Sequence, residues 1–252
     1  MSKKETADNS QQLIAQLEYL KLSFTRDNYS LLAADAAKSG ASYLDFLSQL
    51  ISGEARLRED NSAVRRVRLA RFPVTKTLDQ FNWNWPRKIN RLQIQNLFGL
   101  QFIRDKANAI FLGGVGLGKT HLGIAIGHRA AMSGHSVLFS TAIDTVNSLS
   151  AAKNAGTLKQ ELKRYLKPDL LIVDELGYLP IDKQGADLLF QVLSQRYERG
   201  SIIITSNRAY KHWPEIFNND ATLTSALLDR LLHFAETIKI EGKSYRNPEE
   251  DE

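Results

Sequence analysis

The spacing of hydrophobic residues changes along the chain and divides it into two parts. In the first 70 or so residues apolar side chains recur every three or four positions, as at Leu13, Leu17 and Leu20, which is the period of an amphipathic helix. Beyond residue 100 they form short unbroken runs separated by helical patterns. This change predicts a small helical domain over residues 1–72 and a second domain of alternating strands and helices over residues 73–252.

Three helices are expected in the first domain, at 11–22, at 29–38 and from Ser42 to about residue 71. Ser42 and Asp45 have the spacing of a capping box, in which a side chain at each position satisfies a free backbone N–H group. Residues 1–10 are polar and lack an apolar period, so we expect them to be disordered.

Five short segments, four of them apolar runs, predict the strands of the second domain. They lie at 110–112, 137–140, 170–173, 202–205 and 237–240. Strands that read as continuous apolar runs, with helical patterns between them, belong in a parallel sheet whose two faces are both covered. The expected fold class is therefore α/β, with a parallel five-stranded sheet between helices.

The first of these strands runs into a glycine-rich turn and then into a helical pattern. Gly113, Gly118, Lys119 and Thr120 fill the fixed positions of the P-loop spacing GxxxxGK[ST]. Backbone N–H groups of such a loop close around phosphate oxygens, while the lysine adds charge and the hydroxyl is offered to Mg²⁺. We expect a nucleoside triphosphate to bind here. Its predicted contacts are Gly113, Gly114, Val115, Gly116, Leu117, Gly118, Lys119, Thr120 and His121.

Polar residues end the third and fourth strands. Asp174 and Glu175 follow the third, and Asn207 follows the fourth. Ligands of an open parallel sheet bind at the carboxyl ends of the strands, so these side chains should arrive beside the P-loop. Asp174 is expected to hold Mg²⁺ together with Thr120. Glu175 would orient the attacking water, and Asn207 would hold the γ phosphate or that water, unless it only caps its strand.

Arg230 lies on a later helix, which the alternation of elements places far from its own P-loop. Such an arginine can reach the nucleotide of a neighbouring subunit, and an arginine supplied in this way accelerates hydrolysis by roughly 10³ to 10⁵. The alternative is a salt bridge with a local acid such as Asp229.

Aromatic residues alternate with asparagines ahead of the core, at Phe81, Trp83 and Trp85. The period of two fits an extended segment with one apolar face. Packing against the core is the usual role of such residues, and stacking beside a nucleotide base is the alternative.

The chain has 252 residues, a formal net charge of +5 and no cysteine, which excludes disulfides and thiolate metal sites. No apolar run is long enough to span a bilayer and the N-terminus has no signal-peptide core, so we expect a cytoplasmic protein without a membrane partner.

Positive charge is concentrated in two helical regions. Residues 53–71 contain six arginines and three acids, and residues 141–167 contain five basic residues and two acids. Each region is either a solvated helix face or a surface for DNA phosphates. The candidate DNA contacts are Arg65, Arg66, Arg68, Lys153, Lys159, Lys163 and Arg164.

Taken together, the P-loop, LLIVDE, IITSN and LLDR resemble an AAA+ ATPase of the initiator and helicase-loader group. VDELGYLP and the tail IEGKSYR more narrowly resemble the IstB-type ATPases, which are encoded beside the transposase in bacterial insertion sequences, with DnaC-type loaders as near relatives. The resemblance implies Walker A at 113–120, Walker B at Asp174 and Glu175, sensor-1 at Asn207 and an arginine finger at Arg230. It implies that 141–167 faces DNA. We expect the usual C-terminal lid to be missing, so Arg246 would be only a weak substitute for its second-sensor arginine.

The resemblance implies an ATP- and Mg²⁺-dependent ATPase that forms a homo-oligomer on duplex DNA, with little sequence preference, and recruits or stimulates a transposase. Two alternatives stay open. A DnaC-like helicase loader would share every catalytic residue and differ in its N-terminal module, whereas a nucleotide-gated DNA scaffold would bind ATP without hydrolysing it.

Overall fold

The computed structural model describes the backbone of residues 3–245 and the side chains of residues 9–245. The chain forms two compact units, one up to Val64 and the other from Arg65 onward, and the division falls inside a helix. The boundary expected at residue 72 lies just beyond the end of that helix at Leu69, where Arg71 takes a left-handed conformation. Packing contacts, and not helix ends, define where a compact unit ends.

The N-terminal unit is built from three helices, as expected. They are α1 (Lys3–Tyr19), α2 (Ser23–Ser39) and α3 (Tyr43–Leu69), the last of which continues into the second unit. The capping box at the start of α3 is confirmed, because Ser42 Oγ accepts from the Asp45 N–H at 3.1 Å and the Ser42 N–H donates to Asp45 Oδ2 at 3.3 Å.

The expectation of disorder at residues 1–10 is wrong for residues 3–10, which belong to α1. This segment contains neither glycine nor proline. Once the amphipathic part of a helix has formed, each further residue only propagates it, and propagation does not require an apolar residue. Met1 and Ser2 lie outside the described residues.

The second unit contains the predicted parallel sheet. Its strands are β1 (Asn108–Gly113), β2 (Val137–Thr141), β3 (Leu170–Leu176), β4 (Ser201–Ser206) and β5 (Ala235–Ile240). Their order across the sheet is β2-β3-β4-β1-β5, and every pairing is parallel. The α/β fold class and the five strands are confirmed.

Eight α-helices accompany the sheet in the described part of the second unit. They are α4 (Arg91–Phe98), α5 (Gln101–Arg104), α6 (Lys119–Met132), α7 (Ala142–Asn154), α8 (Leu158–Leu166), α9 (Lys183–Arg196), α10 (Trp213–Ile216) and α11 (Ala221–His233), with a 3₁₀ turn at Tyr210–His212. Within residues 3–245, no helix combines the length and the apolar character needed to cross a membrane.

Alternate residues of each strand enter two different cores. On β1, Ala109 and Phe111 pack on one face together with α4, α5 and α6, while Ile110 and Leu112 pack on the other with α7, α8, α9 and α11. Successive strand residues point to opposite faces, so both sets must be apolar when both faces are covered. This is why the first four strands read as apolar runs, whereas β5 contains the exposed Lys239.

Beyond β5 the described chain contains only residues 241–245, and no helix follows the sheet within that segment. Glu241 pairs with Lys88 in an antiparallel bridge, so this tail lies against the segment that precedes the core. Arg246, the weak candidate for a second sensor, lies outside the described residues.

Candidate nucleotide-binding site

The P-loop joins the end of β1 to the first residue of α6. Gly116 and Gly118 take left-handed conformations, with φ of +73° and +80°, which side-chain-bearing residues rarely adopt. A Cβ on Gly118 would come within 2.6 Å of the Phe81 ring, and one on Gly116 would collide with Ser244 Oγ. Both glycines are therefore required by the backbone and by close neighbours on either side of the loop.

Lys119 is almost fully buried and is held by the loop itself. Its Nζ donates to the carbonyl oxygens of Gly113, at 2.7 Å, and Gly114. These bonds place the ammonium group across the loop that is expected to hold phosphates. The neighbouring His121 is tied differently, because its Nε2 lies 2.9 Å from the Thr77 carbonyl oxygen.

The two acids at the end of β3 occupy different environments. Asp174 is 3% exposed and its Oδ1 accepts from the hydroxyls of Thr120, at 2.9 Å, and Thr205, at 2.6 Å. Burial raises the pKa of Asp174, and the hydrogen bonds from the two hydroxyls oppose that rise. Glu175 is half-buried and lines the cavity beside the loop.

The backbone around Glu175 departs from regular strand geometry. Its φ is +60°, in the left-handed region, and the register between β3 and β4 shifts between Val173 and Leu176. The Glu175 N–H donates to Thr205 Oγ1 at 2.9 Å. This bulge turns the Glu175 side chain away from the direction that strand alternation would give it.

A cavity of about 490 Å³ lies beside the P-loop, within the size range of small-molecule sites. Of the predicted site residues, it is lined by Val115, Gly116, Leu117, Gly118, Lys119, Thr120, His121, Glu175 and Asn207. Gly113 and Gly114 contact this lining through Lys119, and Asp174 contacts it through Thr120. The strand ends therefore bring the predicted phosphate, metal and water-orienting groups together around one space.

The segment before the core forms the opposite wall. Val74, Lys76, Phe81 and Trp85 line the cavity, and Trp83 packs edge-on against Phe81. Packing against the core is confirmed for Phe81, which is buried there, although the segment consists of turns and bends and is not extended. Phe81 also lines the cavity, and stacking beside a nucleotide base stays a prediction.

Sequence reasoning missed the part played by the tail. The Tyr245 N–H donates to the Gly116 carbonyl at 3.1 Å, Trp85 Nε1 donates to the Lys243 carbonyl at 3.0 Å, and the Trp85 and Tyr245 rings meet edge-on. Tyr245 lines the cavity as well. The tail sequence IEGKSYR resembles that of a known family, but the spacing of its residues does not predict these contacts.

Arg230 does not line this cavity. Its helix, α11, packs with Leu227 and Leu231 on the sheet face opposite to the one that α6 covers. Its Nη1 donates to the Ala226 carbonyl at 2.8 Å, and within the described chain it forms no ion pair with Asp229. The local salt bridge considered as an alternative is therefore not formed.

The candidate DNA contacts differ in their exposure and in whether their charged groups are bonded within the protein. Arg65, Arg68, Lys153, Lys159 and Lys163 are exposed. Arg66 Nε donates to the Ala131 carbonyl at 2.7 Å, and Arg164 pairs with Glu161 at 2.8 Å. Arg66 and Arg164 thus already have partners within the protein.

Comparison with known proteins also points to an ATP-binding protein. A family model described as IstB-like ATP binding protein matches residues 15–252. A protein of Geobacillus stearothermophilus named for insertion sequence IS5376 and for ATP binding is 39% identical over 227 residues, which cover 90% of each chain. The corresponding IS21 protein of Pseudomonas aeruginosa is also 39% identical, over 91% of this chain and 86% of its own.

Solved structures share the fold. The crystal structure of DnaI has a TM-score of 0.56 at 20% identity, covering 69% of this chain and 93% of that one. The DnaC helicase loader has a TM-score of 0.53 at 20% identity, covering 66% and 96%. The sheet between helices is that of an AAA+ P-loop protein, and the chain belongs to the family of IstB-like ATP-binding proteins of bacterial insertion sequences.

Proposed function

We propose that this protein is an ATPase that assembles on duplex DNA when ATP is bound, bends or marks the target, and recruits or stimulates a transposase. The observation that carries the catalytic part is the position of Glu175, a carboxylate that faces the same cavity as the P-loop, next to buried Asp174. A protein that only binds nucleotide does not need a second carboxylate at that place.

The binding step uses the P-loop. α6 begins at Lys119 and its first residues line the cavity, so the free N–H groups of its first turn would favour anions there. Lys119 would exchange its bonds with the Gly113 and Gly114 carbonyls for bonds to the β and γ phosphates. The aromatic wall of Phe81 and Trp85 would then lie beside the base.

Mg²⁺ fits the donors that the site presents. Thr120 Oγ1 and Asp174 Oδ1 lie 2.9 Å apart, and both are hard oxygen ligands of the kind Mg²⁺ prefers. When bound there, Mg²⁺ would neutralise charge on the β and γ phosphates. Thr120 and Asp174 are the residues that would hold it.

In the hydrolytic step Glu175 would accept a hydrogen bond from a water molecule and orient its lone pair toward the γ phosphorus. The new P–O bond forms as the bond to the β–γ bridging oxygen breaks, and the proton that the water loses passes to Glu175 or to the released phosphate, giving ADP and phosphate. Asn207, exposed at the end of β4, would donate to the γ phosphate or hold the same water.

The remaining charge for this step would come from Arg230 of a neighbouring copy. Its position on the sheet face away from its own P-loop helix supports this assignment. Hydrolysis would therefore require that copies of the chain assemble. ATP would then be hydrolysed only at an assembled interface, so its hydrolysis would depend on assembly as well as supply energy.

The exposed lysines of α7 and α8 and the exposed arginines of α3 support binding to DNA phosphates without base readout. The insertion-sequence names of the relatives favour a transposase as partner. The proposed location is the cytoplasm.

ATP turnover measured with Mg²⁺, in the presence and absence of duplex DNA, tests the catalytic part. We expect turnover that DNA increases, and absence of turnover in both cases would instead favour a nucleotide-gated scaffold. Capture experiments with purified transposase and replicative helicase test the partner. Capture of the helicase alone would identify a helicase loader and refute the transposition role.

A further inference from the structure

A single buried hydroxyl connects the two acids of the nucleotide site. Thr205, near the end of β4, is 1% exposed, and its Oγ1 donates to Asp174 Oδ1 at 2.6 Å while it accepts from the Glu175 N–H at 2.9 Å. The Thr205 hydroxyl therefore donates a hydrogen bond to Asp174 and accepts one from Glu175.

The bulge explains why a hydroxyl is needed at this point. Where the register between β3 and β4 shifts, the Glu175 N–H bonds to a side chain of β4, and a buried N–H must find some acceptor. The left-handed φ of Glu175 is unfavourable for a residue with a Cβ and persists only where tertiary contacts hold it. The bond to Thr205 is such a contact.

The second hydroxyl on Asp174 belongs to a different part of the site. Thr120 is half-buried, lines the cavity on α6, and is the residue expected to turn toward the metal ion. Its bond to Asp174 is therefore exchangeable, whereas Thr205 is buried on β4 and its hydroxyl remains as the donor that orients the carboxylate.

We infer that Thr205 is a positioning residue, which sets the side chain of Asp174 and the backbone of Glu175 at the same time. The metal-holding and water-orienting carboxylates would then move as one unit with the end of β4, where Asn207 follows two residues later. The inference rests on the proposed ATPase function for its kinetic readout. The role requires a hydroxyl, and it does not require the methyl group of threonine.

Three variants test it. Thr205→Val keeps the shape of the side chain, including the Cγ2 group that faces Gly123 on α6, but removes the hydroxyl. Thr205→Ser keeps the hydroxyl. Thr145→Val is the matched control, because Thr145 is also buried and its Oγ1 makes two bonds, to the Ser140 hydroxyl and the Thr141 carbonyl, outside the cavity lining.

For Thr205→Val we expect kcat to fall by roughly 10- to 100-fold, the usual effect of losing an outer partner of a metal-site ligand. The affinity for ATP without Mg²⁺ should stay within about twofold of the wild type, because only the orientation of the acids changes. The increase in ATP affinity that Mg²⁺ produces should shrink. Thr205→Ser should recover most of kcat, and Thr145→Val should lower the melting temperature without lowering kcat.

The inference is overturned if Thr205→Val turns over ATP like the wild type, if Thr205→Ser is as impaired as Thr205→Val, or if Thr145→Val is equally impaired. A wild-type protein without turnover would refute the proposed ATPase instead. In that case the effect of Mg²⁺ on ATP affinity still tests the positioning role. If Mg²⁺ raises the ATP affinity of Thr205→Val as much as that of the wild type, the positioning role is refuted.

Discussion

The two faces of the sheet differ in whether their functional residues gather around a site within one chain. On the face covered by α6, the P-loop, Lys119 and Thr120 are held by hydrogen bonds within the chain and surround one cavity. On the other face, α11 presents Arg230 and the α7–α8 pair presents exposed lysines, and neither contributes to that cavity.

This difference suggests a division of labour. The P-loop residues proposed to bind the nucleotide line one cavity of a single chain, so ATP binding should depend on residues of the α6 face. Turnover should also depend on the other face, through Arg230, and so should part of DNA binding, through the exposed lysines, because these charged groups need a neighbouring copy or a phosphate backbone. Variants on the two faces should therefore fail in different ways.

The largest effect is expected on the α6 face. Lys119→Ala removes the ammonium group expected to contact the β and γ phosphates, so ATP binding should weaken by roughly 10- to 100-fold and hydrolysis should become undetectable. Titration with a fluorescent ATP analogue measures this, with Lys106→Ala, an exposed lysine outside the cavity lining, as control. Unchanged affinity would contradict the P-loop assignment.

Arg230→Ala on the opposite face should lower hydrolysis by roughly 10³ to 10⁵ and leave ATP affinity unchanged. Mixing it with Glu175→Gln, which binds ATP without hydrolysing it, should restore some turnover at interfaces that pair a functional cavity with an intact arginine. Turnover measured across mixing ratios checks this. If no ratio restores turnover, or if Arg230→Ala loses ATP binding, the two faces do not differ in function as proposed.

A smaller effect is expected on DNA affinity. Replacing Lys153, Lys159 and Lys163 with alanine should weaken duplex binding about equally for unrelated sequences, and should reduce the slope of log affinity against log salt by up to about 2.7, or about 0.9 per lost phosphate contact. Replacing the exposed Arg104, Lys106 and Lys211 removes the same charge elsewhere. Equal slopes for both triple variants would show that net charge, and not this helix pair, binds DNA.

The smallest effect concerns stability. Burial raises the pKa of Asp174, so the folded state binds this proton more tightly than the unfolded state, and ionised Asp174 destabilises the fold at neutral pH. Asp174→Asn should therefore raise the melting temperature slightly at neutral pH, in the absence of nucleotide and Mg²⁺. The gain should shrink as pH falls below the raised pKa and should vanish below the ordinary pKa of an aspartate, where both states are protonated.

Thermal unfolding across pH checks this, with Asp187→Asn on the exposed surface of α9 as the control for charge removal. A gain that persists unchanged into acid would show that burial of the Asp174 charge is not its cause.

The sheet and the phosphate loop were predictable because their signals are local. Two-sided burial requires unbroken apolar runs, and a backbone cradle for phosphate requires glycines at set positions followed by Lys119 and Thr120. The acids Asp174 and Glu175 were found because they end a strand in a chain that already had a P-loop. The start of α1 was missed, since a polar extension of a helix leaves no periodic signal.

What remained for the tertiary structure were contacts between distant parts of the chain. The sequence by itself determined the α/β class, the P-loop and the two acids, because each depends on neighbouring residues or on strand position. Only the fold decided that Thr205 bonds both acids across 30 and 31 residues, that Glu175 takes a left-handed backbone, and that Tyr245 lies over Gly116. Hydrogen-bond partners so far apart leave no spacing to read, since the bulge and the sheet order alone bring them together.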